Sequence, residues 1–311
     1  MRRELLTPAY WASWTGLGVL RLLERLPYPT MLRMGRVIGR VARRLPLKYV
    51  RTARRNIEIC MPALSSRERE QLIDRHFDSL GMGVCESAMC WWSEDDRIRS
   101  LSQIEGCEHL DKALAAGHGV ILLTAHFTTL EISARIINTR YPICALYRPL
   151  KNEVLAAASN RNRNRLGNTV RHDDIRGMVR ALRNNEIVWY APDQSFRKKG
   201  AQMVPFFGVP AATNVGTSRL AQMTGATILY FSHERLPNNR GYRVVIHPPT
   251  ATIPSDNAVA DTEHFNHFIE EHVRHVPEQY WWIHRRFKGL CADYPDQYAR
   301  DRKPTVNAPN A

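Results

Sequence analysis

An α/β fold, a sheet flanked by helices with a helical segment of different character ahead of it, is what this sequence predicts, and three observations carry it. Short apolar runs of strand type at residues 120–124, 143–147, 187–191, 227–231 and 242–246 alternate with helical stretches at 131–138, 153–164 and 174–184. Such alternation builds a sheet with helices packed on it. The chain has 311 residues, 44% of them hydrophobic, enough for the core of one large α/β domain or two small ones. Its charge is uneven: residues 1–55 hold 13 basic side chains and only Glu4 and Glu24 as acids, +11 of the net charge of +14.

The first element begins after Arg2 and Arg3 with an uncharged run, residues 9–20, carrying Tyr10, Trp11 and Trp14 where interfacial aromatics would sit. A bilayer-spanning helix needs about 20 apolar residues, and Arg21, Glu24 and Arg25 interrupt before that. The run reads as a short or tilted anchor, or as a helix lying in the membrane interface. It has no small-residue cleavage site of a secretory signal. Between residues 32 and 45, Arg33, Arg36, Arg40, Arg43 and Arg44 recur at helical spacing, with Ile38, Val41, Ala42 and Leu45 on much of the other side. This is a basic amphipathic helix ended by Pro46; Arg51, Arg54 and Arg55 extend the charge beyond it. An anionic lipid surface is the partner that fits an apolar, aromatic segment followed by a basic one. The division that follows is a membrane-docking segment at 1–55, a catalytic domain at 56–295 and a polar tail at 296–311 with Pro304 and Pro309.

Other classes are disfavoured. Cys60, Cys85, Cys90, Cys107, Cys144 and Cys291 form no C-x-x-C pair and read as reduced, mostly buried thiols facing the cytosol. No metal is expected, because ligand spacing of the usual kind is absent; His264, His267, Glu271 and His275 read as the wet face of a helix that buries Phe265, Ile269, Val273 and Val276. No recognition helix, zinc finger or ribonucleoprotein motif supports nucleic acid as a partner. No internal repeat is evident.

Chemistry concentrates where strands end, since active groups in such sheets gather beyond the carboxyl ends of strands. His126 follows the first run, Arg148 the second and Asp193 the third. His126 is followed five residues later by Glu131, and among the 12 histidines this is the one His-x4-acid spacing. Chance explains one such match, and Thr128-x-x-Glu131 also reads as a helix capping box. The strand-end convergence favours an imidazole base instead, with a carboxylate to orient it, as acyl transfer to a hydroxyl requires. Arg161, Arg163 and Arg165, followed by Arg171, Arg176, Arg180 and Arg183, suggest an anionic head group, and Lys198 and Lys199 after Asp193-Gln194 strengthen that reading. No Gly-x-Ser-x-Gly elbow is present, so no serine nucleophile is expected.

Six blocks in order resemble the late acyltransferases of lipid A biosynthesis in Gram-negative bacteria: His126-Phe127-Thr128-Thr129-Leu130-Glu131; Tyr147-Arg148-Pro149; Arg161, Arg163 and Arg165; Ala191-Pro192-Asp193-Gln194; Pro205-Phe206-Phe207-Gly208 with Ala212-Thr213; and residues 277–288, from Pro277 through Tyr280, Trp282 and His284 to Arg286 and Lys288. The lauroyltransferase branch is the most similar, on Glu131 and the intact block at 147–149. The resemblance, which reaches from the N-terminus to about Lys288, implies a lysophospholipid acyltransferase-like fold with a mixed central sheet. It implies an inner-membrane enzyme whose site faces the cytoplasm and needs no cofactor. Its donor would be a fatty acyl chain, laurate in that branch, on acyl carrier protein. Its acceptor would be a hydroxyl on a 3-hydroxyacyl chain of the Kdo-bearing tetraacyl lipid A precursor. His126 is then the general base and Glu131 the group that holds its ring. Arg163 is the first candidate for the oxyanion, with backbone amides as the alternative. Asp193 would orient an arginine or bind acceptor, and Arg148, Arg161, Arg165 and Gln194 would bind substrate. Transfer of another acyl length, or to another glycolipid, is the neighbouring reading. A non-catalytic basic protein binding membrane or nucleic acid is the distant one.

Overall fold

In a computed structural model, residues 5, 7–45, 48–147, 152–157, 168–291 and 293–298 are described. Strands β1 (Ser102–Glu105), β2 (Val120–Leu123), β3 (Ile143–Tyr147), β4 (Thr169–Arg171), β5 (Ile187–Tyr190), β8 (Thr227–Arg235) and β9 (Tyr242–Ile246) form one sheet in the order β1-β9-β8-β2-β5-β3-β4. It is mixed: β8 and β9 pair antiparallel, and the other neighbours pair parallel. A separate hairpin joins β6 (Ala201–Phe206) to β7 (Val209–Asn214).

The centre of the sheet is β2, whose four residues are all buried. A strand covered on both faces needs apolar side chains at every position rather than alternation. Ile121 and Leu123 enter one core, with α3 (Lys48–Cys60), α8 (Ile175–Arg183), α9 (Gly216–Thr224) and α10 (Ala258–His275). Val120 and Leu122 enter the other, with α2 (Tyr28–Arg44), α5 (Asp95–Ser100), α6 (Cys107–Ala115) and α7 (Leu130–Asn138). The five strands expected from the sequence are present. The edge strands β1 and β4 are short and partly exposed, so they carry little apolar signal. Strand β8 runs on to Arg235 because Ser232, His233, Glu234 and Arg235 are buried with polar partners, which hides a core strand behind polar letters. Of the helix expected over 153–164, residues 153–157 are helical and the rest lie outside the described residues.

Helix α4 (Ser66–Trp92) opens with a capping box between Ser65 and Glu68 and serves both cores. Helix α2 crosses it closely at Gly35, Gly39 and Gly81: a Cβ on Gly39 would stand 1.9 Å from the Phe77 carbonyl oxygen, and one on Gly81 would stand 2.0 Å from that of Gly35. On α2 the structure reverses the expected division of labour. Arg40 forks onto Asp78 and Arg43 reaches Asp74 and Glu70, so these guanidinium groups face the carboxylates of α4. Met34, Val37, Ile38, Val41 and Leu45 are exposed, beside Arg33 and Arg44. The uncharged run near the N-terminus forms α1 (Trp11–Glu24), which lays Leu17 inward and leaves Trp11, Val19 and Leu22 exposed. No described helix is long and apolar enough to cross a membrane. At the other end, Tyr298 is buried and donates from its hydroxyl to Asn56, while Arg55 bonds the Gln297 carbonyl, so these tail residues belong to the core rather than to a loose end.

Candidate active site

Strands β2 and β5 are parallel neighbours, so the segments leaving their carboxyl ends emerge side by side. The first carries His126 and the second Asp193. The His126 ring nitrogen Nδ1 lies 2.6 Å from Asp193 Oδ1, and the His126 backbone N–H donates to Oδ2 at 3.1 Å. Two contacts to one carboxylate fix both the backbone and the ring. Tyr280 adds a third, its hydroxyl donating to Oδ2 at 3.3 Å. With Nδ1–H given to the carboxylate, Nε2 is the unprotonated nitrogen of the neutral ring. The His126 side chain keeps 24% of its surface exposed, against 3% for Asp193. Burial pushes the Asp193 carboxyl up, but the charge His126 carries when protonated, its hydrogen bonds and the charge of Arg286 outweigh it and hold the group below the ordinary carboxylate range.

The carboxylate on the ring is therefore not Glu131. That residue is exposed in the first turn of α7, at the same end of the sheet. The capping box suggested by Thr128 and Glu131 does not form either: α7 starts at Leu130 after Thr129, without a side-chain cap, and the Thr128 hydroxyl pairs with Ser79 at 2.7 Å. Gln194 lines the same pocket as His126. Arg148, Arg161, Arg163 and Arg165 lie outside the described residues.

The loop bearing His126 is clamped by the block at 277–288. Trp281 N–H donates to the His126 carbonyl at 3.0 Å, Thr128 N–H donates to the Gln279 carbonyl at 2.7 Å, and Phe127 bridges to Tyr280 as an extra strand pair. Asn56 holds the far side of this block through the carbonyls of Trp282 and His284. Beneath the loop, Arg235 forks onto Glu86 and donates to Ser79 at 2.9 Å, and Ser79 meets Thr128. Tyr242 completes the set by donating to Glu86. A pocket over His126 is lined by Phe206, Tyr280, Trp281, Trp282 and Phe287. His284 is also on its wall, accepting at Nε2 from Ser195 N–H; burial pushes its pKa down to about 4, so it stays neutral. His233 is likewise held neutral by burial, at about 3, and meets the Thr129 hydroxyl.

The sequence marks 277–288 only as a block of likeness, without a role for Asn56, Tyr280 or Arg286. The signal available was its density of aromatic and cationic residues, which fits a pocket wall as well as a core. The helical set on α10 is dispersed among protein partners: His264 bonds Tyr230, and His275 pairs with Glu234.

A family model described as bacterial lipid A biosynthesis acyltransferase matches residues 1–289. The lipid A biosynthesis lauroyltransferase of Escherichia coli (strain K12) is 37% identical over 94% of this chain and 97% of its own. The palmitoleoyltransferase of the same organism is 39% identical over 92% of this chain and 94% of its own. Its myristoyltransferase is 24% identical over 90% of this chain and 88% of its own. The two relatives of nearly equal similarity, at 37% and 39%, thus carry the names of different acyl chains.

Proposed function

This chain belongs to the bacterial lipid A biosynthesis acyltransferase family, and on that premise we propose that it moves a fatty acyl chain, laurate first, from acyl carrier protein to a hydroxyl on a 3-hydroxyacyl chain of a Kdo-bearing tetraacyl lipid A precursor. One observation carries the chemistry: the 2.6 Å contact between His126 and a buried carboxylate at the ends of two neighbouring central strands. An alcohol attacks a thioester well only if its proton leaves as the bond forms. His126 Nε2 takes that proton while Asp193 holds the ring and balances the imidazolium. The acceptor oxygen bonds to the thioester carbon, the tetrahedral intermediate collapses, and the C–S bond breaks. The imidazolium returns its proton to the departing thiolate. Arg163 remains the first candidate to meet the oxyanion, and Arg148, Arg161, Arg165 and Gln194 to hold substrate. Glu131, freed of the ring-holding role, is assigned to the acceptor side. The test is mass spectrometry of the acceptor after incubation with a mixture of C10 to C16 acyl carrier proteins. A single added C12 chain is the expected product; an unmodified acceptor with every donor would sink the proposal.

Docking at the cytoplasmic face of the inner membrane completes this reading. Its support is the exposed apolar side chains of α1 and α2, flanked by exposed Arg25, Arg33, Arg44, Lys48 and Arg51, which have no acidic partner among the described residues. Basic residues near an anionic surface contribute roughly 1 kcal/mol each and are screened by salt, whereas apolar insertion is not. Val37→Glu with Val41→Glu is therefore expected to release the protein from anionic vesicles even at low salt, as scored by co-sedimentation. Undiminished binding by that variant would move the docking surface elsewhere.

A further inference from the structure

Three arginines are buried among the described residues: Arg135, Arg235 and Arg286. Arg135 pairs with Asp95 and Arg235 with Glu86. Arg286, at 3% exposure the most deeply buried of the three, has no carboxylate within ion-pair distance among the described residues. Its Nη1 donates to the Ala212 carbonyl and its Nη2 to the Thr213 hydroxyl, both at 2.8 Å, and its plane lies over Phe206. Its Nε is buried without a partner, and the side chain lines the pocket of His126 and Asp193. Removing a charge from water costs several kcal/mol unless an opposite charge is near. The hydrogen bonds to neutral oxygens fix the guanidinium in place but leave its charge uncompensated. Asp193 lines the same pocket and is the one acid in its lining among the described residues, so its carboxylate is the counter-charge available to Arg286 there.

We infer that Arg286 is a positioning residue whose fixed charge keeps Asp193 ionised behind His126, making the three groups neutral together. The inference rests on the reading of His126 as the base. Before transfer, one carboxylate and one guanidinium cancel beside a neutral imidazole. At the tetrahedral intermediate, the new imidazolium and the new oxyanion cancel as well, so Asp193, His126 and Arg286 stay balanced through the transfer. Without Arg286 the resting pocket would carry a buried negative charge, and it would take up a proton to lose it. Among the described residues, the titratable groups that line a pocket with Asp193 or are coupled to it are Cys60, His126, Tyr190, Tyr230, His233, Asp261, Tyr280, His284 and Arg286; His233 and His284 are held neutral by burial, and burial keeps Cys60 and the three tyrosines protonated. Arg286 is thus the permanent positive charge of the set.

The experiment is the pH dependence of kcat/KM for full-length protein with lauroyl carrier protein and the tetraacyl acceptor. Loss of a positive charge favours protonation of both Asp193 and His126, so the acid limb of Arg286→Gln should move to higher pH by about one unit, a roughly tenfold deficit at low pH relative to high. Arg286→Lys should keep the wild-type limb, and so should Thr213→Val, which removes a hydrogen bond but no charge. A uniform loss in Arg286→Gln with an unmoved limb would overturn the inference, as would a shifted limb in Arg286→Lys. Should Arg286→Gln fail to fold, adding Asp193→Asn is expected to recover folded protein by removing both charges; failure of that rescue also overturns it. A wild-type protein that transfers no acyl chain would strike the functional reading instead, while the folding rescue would still test the charge pair.

Discussion

Replacing His126 with alanine is expected to lower acyl transfer by about 10²–10⁴-fold in a protein that still melts cooperatively. The factor follows from the loss of a positioned base, since water then has to take the proton of the attacking hydroxyl. Asp193→Asn should cost a comparable factor for a different reason. The asparagine can present its amide N–H to Nδ1, which turns the ring to the tautomer with its proton on Nε2, the wrong one for a base. It also leaves the imidazolium without its counter-charge. The two losses should not add: His126→Ala with Asp193→Asn should be about as slow as His126→Ala alone, because both act on one proton transfer. Turnover of each variant, measured by mass spectrometry beside its thermal melt, decides the matter. Near wild-type turnover in folded His126→Ala would remove the base. Full additivity of the pair would break the link to Asp193.

The largest effect on stability is expected at the fork between Arg235 and Glu86, which are 5% and 2% exposed at their side chains. Truncating one partner of a buried ion pair leaves the other charge desolvated and costs roughly 3–5 kcal/mol. Glu86→Ala should therefore lower the midpoint of chemical denaturation markedly, and it strands the hydroxyl of Tyr242 as well. Replacing both partners with apolar residues, Glu86→Leu with Arg235→Met, should recover much of that loss. The double variant should still turn over poorly, because Arg235 supports Ser79, and Ser79 supports Thr128 two residues after His126. Recovery of stability together with full activity would show that the fork stabilises the fold without positioning the base.

Much of the candidate site was legible because strand ends can be read from apolar runs. Residues 120–124 and 187–191 are apolar enough to be central strands, so the sequence alone puts His126 and Asp193 at one end of a sheet. Their partnership was not legible. The short spacing from His126 to Glu131 suggested a pair, but side chains five residues apart across a loop-to-helix junction need not face each other. Strand pairing brings Asp193, 67 positions away, to 2.6 Å instead. The arginines of α2 show the same limit: periodicity gave the two faces of the helix, but the acids of α4 decided which face meets water.

The sequence by itself determined the α/β class, the basic N-terminal segment, the strand ends bearing His126 and Asp193, and the likeness that the family match bears out. These rest on local composition and periodicity, which one stretch of chain carries unaided. Only the tertiary structure decided that Asp193 holds the ring, that residues 277–288 clamp its loop, and that Arg286 is buried with no acid in ion-pair contact among the described residues. Each of those is a relation between segments far apart in the chain. Distance, desolvation and the balance of buried charge exist only once the segments have packed.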